Sequence, residues 1–123
     1  MLNIKKLMTK TLNSFVPKTG TFTKSQSASS PGIFVRQYGK VVVVNGYITD
    51  VTMTANAETQ IGTLSNIGLP TSAVRALCSV GANAYSMGTP SYVTILVSGA
   101  VVVTSSNGGS GKAIYFNITY ISA

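Results

Sequence analysis

The chain has no histidine and no tryptophan, one cysteine (Cys78), and only two acids, Asp50 and Glu58, among its 123 residues. Each shortage excludes something. General acid/base catalysis, metal binding and nucleophile activation draw on His, Cys, Asp and Glu, so the inventory argues against an enzyme and against a metal or other cofactor. A lone cysteine forms no internal disulfide and implies no redox compartment. No run approaches the about 18 uninterrupted apolar residues of a spanning helix. The stretch after Lys5 and Lys6 is broken by Thr9, Lys10, Thr11, Asn13 and Ser14 before it reaches the length of a signal-peptide core. The sequence therefore reads as having no membrane span and no secretory signal. Charged residues make up 9% of it, against roughly 25% in an ordinary soluble protein, while the hydrophobic share of 45% is ordinary. Its surface must then be neutral and polar, or be covered in part by other chains.

At this length about two-thirds of the unfolded chain's surface can be buried, enough for one domain with a core and a short appendage. The appendage is basic: residues 1–24 hold Lys5, Lys6, Lys10, Lys18 and Lys24, five of the nine cations, and neither acid. At 100° per residue Ile4, Met8, Leu12 and Phe15 fall on one stripe with Lys6 and Lys10 opposite, the pattern of an amphipathic helix, and Pro17 ends it. A helix of about 15 residues is marginal in water, so the stripe needs a partner. Residues 1–16 are read as an anchoring or trimerising helix. Base-stacking aromatics are missing from residues 1–14 and the remainder is nearly neutral, so the footprint of a nucleic-acid binder is lacking. Anchoring is also preferred to a membrane-surface role.

Residues 17–32 read as a connector of Thr, Ser, Lys, Gly and Pro, with Phe22 its only large apolar side chain. Beyond Gly32 the periodicity turns strand-like and stays so. Strands are expected near 33–38, 40–49, 51–54, 59–64, 74–82, 92–98, 100–105 and 112–121, which makes residues 33–123 an all-β sandwich or barrel. Ile114, Phe116, Ile118 and Tyr120 alternate with Tyr115, Asn117 and Thr119, so one face of the last strand is core and the other is polar or at an interface. Ser98-Gly99 should close a hairpin. Val41 to Val44 places apolar side chains on both faces, as in a strand whose outer side meets another element or subunit.

Few motifs suggest chemistry. Asn107-Gly108-Gly109-Ser110-Gly111-Lys112 lacks the spacing and the following Ser or Thr of a phosphate loop and reads as a hairpin tip. Asn117-Ile118-Thr119 matches a glycosylation acceptor but lies within an expected strand. Asp50 and Glu58 read as a turn residue and a solvated side chain rather than a glycosidase pair, and Cys78, with no His to activate it, as an inert core residue. Binding is the better prospect. The loop from Asn83 to Tyr92 mixes Tyr, Asn, Ser and Gly, which give rigid contact area and adaptable hydrogen bonding. The candidate receptor-binding residues are Asn83, Tyr85, Met87 and Tyr92 there, with Asn107 and Lys112 from the glycine-rich tip.

From about Gly39 to Ala123 the chain resembles the C-terminal head domains of tailed-phage fibre and baseplate receptor-binding proteins. The residues that carry the likeness are Gly39-Lys40-Val41-Val42-Val43-Val44-Asn45-Gly46-Tyr47-Ile48-Thr49, then Ile61-Gly62-Thr63-Leu64 and Leu69-Pro70. Tyr92 to Val101 and Gly111 to Ile121 follow in the same order. Two places depart from such heads: Glu58-Thr59-Gln60 stands where they commonly carry an aromatic, and Thr71-Ser72-Ala73 where they carry a bulky Tyr or Arg with Pro. The resemblance implies an all-β, antiparallel, jelly-roll-like sandwich over residues 33–123, acting as a homotrimeric head in the virion, at the tail tip or baseplate, and binding host-surface saccharide. It also implies attachment to another virion protein through residues 1–24. A head fibre or decoration protein docked on the capsid by the same basic segment is the alternative.

Overall fold

The computed structural model describes residues 16–82 and 88–123. The anchoring helix expected over Ile4, Lys6, Met8, Lys10, Leu12 and Phe15 lies outside them. Nine strands follow in chain order: β1 (Lys18–Thr19), β2 (Thr21–Lys24), β3 (Ser29–Tyr38), β4 (Val41–Met53), β5 (Glu58–Ser65), β6 (Val74–Gly81), β7 (Thr89–Ile95), β8 (Ala100–Thr104) and β9 (Gly109–Ile121). All pair antiparallel in one sheet of order β1-β3-β4-β9-β6-β7-β8-β5-β2. The all-β head expected from the periodicity is what the structure shows.

Strand alternation builds the core. Val42, Val44, Ile48 and Val51 of β4 face Ile114, Phe116, Ile118 and Tyr120 of β9, and Val35, Ile61, Val80, Val93, Ile95, Val101 and Val103 join them in a single cluster. The two strands expected at 40–49 and 51–54 are one. Asp50, at φ +57°, takes up an irregularity between Ile48 and Val51, and this bulge keeps both apolar neighbours pointing inward. Two tight turns follow their sequence signals. Gly39-Lys40 joins Tyr38 to Val41 with φ +61° at Gly39, as the first central position of a type II′ turn requires. Gly99, at φ +90°, ends a three-residue loop closed by Gly99 N–H donating to Leu96 O (2.9 Å) and Leu96 N–H to Ala100 O (2.9 Å).

Residues 17–32 are not merely a connector. β1 and β2 stand at opposite edges of the sheet yet are separated only by Gly20. The segment pairs first with β3 (Lys18 with Gln37, Thr19 with Arg36) and then with β5 (Thr21 with Ser65 through Lys24 with Gly62). It thereby stitches the two edges of the curled sheet together. Composition hid this because the segment contributes little apolar surface of its own. What makes it a strand is an unsatisfied edge on either side and two close approaches. A Cβ at Gly20 would lie 2.6 Å from Val35 Cγ1, and one at Gly62 would run into the Phe22 ring.

The strands define two ends. Val16, the Gly39-Lys40 turn, the loop at Gly99 and Ala123 lie at a base. The opposite end, the tip, gathers the β4–β5 turn, the end of β6, the start of β7 and the β8–β9 loop, tied by Asn56 N–H to Ser105 O (2.7 Å) and Asn107 Nδ2 to Val80 O (2.9 Å).

Candidate functional site

Because paired residues point the same way, the register places the outward side chains in rows. Nearest the base run Tyr38, Val41 and Ile121. The next row is Arg36, Val43 and Thr119, and after it come Phe34, Asn45 and Asn117. In the row nearest the tip Tyr47, Tyr115, Ser79 and Pro90 follow one another across β4, β9, β6 and β7. Leu77 stands opposite Tyr92, itself opposite Thr104. Eight of the ten exposed large hydrophobic residues described, namely Phe34, Tyr38, Val41, Tyr47, Leu77, Tyr92, Tyr115 and Ile121, therefore share one face; the other two are Val16 and Val97. Leu77 is 72% exposed, an uncommon state for leucine in mid-strand.

The tip-ward half of this face holds a shallow depression of about 490 Å³ lined by Gly46, Leu77, Cys78, Ser79, Tyr115, Phe116 and Asn117. Tyr115 forms its aromatic wall and is backed by Tyr47, the two rings stacked with centroids 5.5 Å apart and planes 23° from parallel. Two glycines set this wall. Tyr47 lies over Gly32, where a Cβ would come within 2.7 Å of Cε1, and Gly46, at φ +138°, presses against the Gly32 carbonyl where no side chain fits. Two cations border the face, each over a ring: the Arg36 guanidinium 5.7 Å from the Phe34 centroid and that of Arg75 5.7 Å from Tyr92. Of the two acids, Glu58 continues the Leu77, Tyr92 and Thr104 row onto β5, away from the depression. The lining is uncharged and mostly apolar, with Leu77, Tyr115 and Phe116, and carries the Ser79 hydroxyl and the Asn117 amide as its polar side chains.

The sequence-predicted residues are dispersed. Tyr92 is half exposed on the aromatic face, one strand from the depression. Asn107 is committed to the fold: its Nδ2 donates to Val80 O, and its backbone N–H to Ser105 Oγ (3.0 Å). Lys112 lies near the tip end of β9, half-buried, opposite Val51. Part of the expected glycine-rich tip, from Gly109 onward, is the start of this strand. Asn83, Tyr85 and Met87 lie outside the described residues. Sequence reasoning did not single out Tyr47, Leu77 and Ser79. The signal for Tyr115 and Asn117 was present in the alternation of β9, but the partners that join them come from strands more than 30 residues away.

The two shifted ionisable groups described are structural. Burial pushes the Cys78 thiol up to about 11, which leaves it protonated and unreactive at neutral pH. Burial also raises the Tyr120 hydroxyl, whose proton is donated to Gly68 O at 2.5 Å. Among the described residues no group of three or more His, Cys, Asp or Glu comes together to hold a metal.

No family model matches the chain, and no curated protein matches it. Among solved structures it is similar to the head domain of phage bIL170, described in a study of whether the receptor-binding domains of lactococcal phages have a common fold. The identity is 22% and the TM-score 0.67, over 86% of this chain and 99% of that one. The two share a fold. The likeness stated from sequence is thus matched by the backbone, and it extends over nearly the whole of that head.

Proposed function

We propose that this protein is a phage virion component whose β head recognises a saccharide on the host surface by binding rather than by catalysis. The observation that carries the reading is the depression walled by Tyr115, whose ring is backed by Tyr47, on a fold shared with a phage receptor-binding head. A pyranose ring has apolar C–H faces and a rim of hydroxyls. The first suit a ring such as Tyr115, and the second suit the hydroxyl of Ser79 and the amide of Asn117. A shallow, uncharged depression of this size has room for one or two sugar rings rather than a large apolar ligand.

The head is proposed to act as a homotrimer attached through residues 1–24 to another virion protein at the tail tip or baseplate. The rows nearest the base support this arrangement: they lie at the end where the N-terminal segment joins, and they set the exposed apolar side chains Val41 and Ile121, with Val43, beside the polar groups of Tyr38, Arg36 and Thr119.

Recognition is tested by applying the full chain to an array of bacterial cell-wall polysaccharides. Saturable binding is expected, and Tyr115→Ala should weaken it about tenfold, equivalent to about 1.4 kcal/mol. No binding to any polysaccharide, together with labelling of the capsid in intact virions, would instead make the protein a shell decoration. Light scattering should return the mass of three chains; a monomer refutes the trimer.

A further inference from the structure

The segment 18–25 pairs on two sides, and its position relative to the two ends has a mechanical consequence. Chain entering at Val16 on the base runs toward the tip. On one side Lys18 and Thr19 pair with Gln37 and Arg36, and Gly20 N–H donates to Val35 O at 3.0 Å. On the other side Thr21 to Lys24 pair with Ser65 to Gly62, and Ser25 N–H donates to Ile61 O at 3.0 Å. Just beyond, the Gln26 side chain acts as one more strand residue: its Oε1 accepts from Thr52 N–H (2.8 Å) and its Nε2 donates to Thr52 O (3.0 Å). Phe22 sits over Gly62 like a key, with no room for a larger residue beneath it.

We infer that residues 18–26 form a load-bearing clamp, which carries tension between an N-terminal attachment and a ligand held on the outer face as shear on two hydrogen-bond ladders at once. The inference rests on the proposed function only for the direction of the load. Backbone hydrogen bonds of antiparallel strands lie perpendicular to the strands. A pull along the base-to-tip axis therefore loads them together, whereas a pull across the strands opens them one at a time. Sliding is opposed as well. A slip of one residue would turn Phe22 from the core to the outside, and the Gln26 bonds to Thr52 would break. The C-terminus does not share this arrangement. Ser122 and Ala123 lie at the base, where their N–H groups donate to Lys40 O (2.7 Å) and Leu69 O (3.0 Å), so tension between the two termini runs across the strands.

The test is single-molecule force spectroscopy on the full chain in two geometries. In one, handles are placed at the N-terminus and at Ser106→Cys, an exposed tip position; the buried Cys78 thiol does not compete for coupling. In the other, the handles are at the two termini. At equal loading rate the first should need at least about three times the unfolding force of the second, since several bonds of about 1 kcal/mol net each must fail together. Phe22→Ala should reduce the first force and leave the second nearly unchanged; if that variant does not fold, Phe22→Leu replaces it with the same expectation in smaller measure. Equal forces in the two geometries, or a difference that neither substitution reduces, would overturn the clamp. Either result leaves saccharide recognition untouched, because the array measures that on unstretched protein.

Discussion

The outer surfaces of two parts of the sheet are made by the same alternation and carry opposite chemistry. On β3, β4, β9, β6 and β7 the outward positions include Tyr47, Tyr115, Leu77, Val41 and Ile121, with two arginines laid over rings. On β5 and β2 they are Thr21, Thr23, Glu58, Gln60, Thr63 and Ser65, with Gln60 Nε2 donating to Thr63 Oγ1 (3.2 Å) and Asn66 Nδ2 of the neighbouring loop to Thr21 Oγ1 (3.2 Å). Threonine satisfies β propensity while leaving a surface that water wets. Exposed Leu and Ile gain nothing in water and mark a surface meant to be covered. The polar surface thus lies on the strands that close the sheet, and the aromatic surface is the one proposed above for contact with ligand and with other copies. Low charge has a meaning for assembly on this division: beyond its two arginines and Glu58 at the far end of the Leu77–Tyr92–Thr104 row, the aromatic face lacks the alternating charges that keep proteins apart.

The largest effect should come from breaking the closure. Gly20→Val places a Cβ 2.6 Å from Val35 Cγ1 and 2.9 Å from Ile67 Cδ1, in a core that has no slack there. Overpacking of this kind costs about 3 kcal/mol, to be read as a lower urea midpoint with the m-value unchanged. A midpoint equal to that of the native chain would mean that the hydroxyl side is not held by this close approach. Next in size, Val41→Asp combined with Ile121→Asp should convert the proposed trimer to monomers in light scattering, by about 2 kcal/mol per contact. Thr23→Asp with Thr63→Asp on the other face should leave the mass unchanged. Smaller again is the binding contrast: Tyr115→Ala should lose about tenfold in polysaccharide binding, and Thr63→Ala nothing measurable. Equal losses from both would dissolve the division of labour between the faces.

Most of the strands were legible because their apolar residues alternate strongly. Ile114 to Tyr120 needs no partner to declare its two faces, and Gly39 and Gly99 mark turns by the backbone angles they supply. The stitching role of residues 18–24 was not legible. Its cause is the meeting of β3 and β5 edges, more than 20 residues apart in sequence, and no local property of Lys18 to Lys24 reports it. The site was half legible for a similar reason. Tyr92 was found through loop composition, and Tyr115 was assigned to a polar or interface face, but their union with Tyr47 and Leu77 depends on the strand order β4-β9-β6-β7. Asn107 shows the converse error. Its composition suggests an exposed, adaptable amide, yet both its side chain and its backbone N–H are engaged inside the fold.

The smallest effect concerns what lies beneath the aromatic face. Cys78 is the inward residue between the outward Leu77 and Ser79, and burial raises its thiol from 9.0 to about 11. A raised value in the folded state means that the neutral thiol is favoured there. The corresponding stability is fully present below about pH 9, where folded and unfolded chains are both protonated. As pH rises from about 9 to about 11 the unfolded chain loses this proton first, so stability falls across that window. Tyr120 adds in the same direction at higher pH, since its hydroxyl is also raised. Urea midpoints measured between pH 8 and pH 11 should therefore decline for the native chain, and Cys78→Ala, whatever its cost at pH 8 from the lost sulfur contact, should flatten the lower part of the decline. Parallel slopes for the two proteins would mean that the thiol is wetted through the depression above it, and the aromatic face would then be more open to water than its packing indicates.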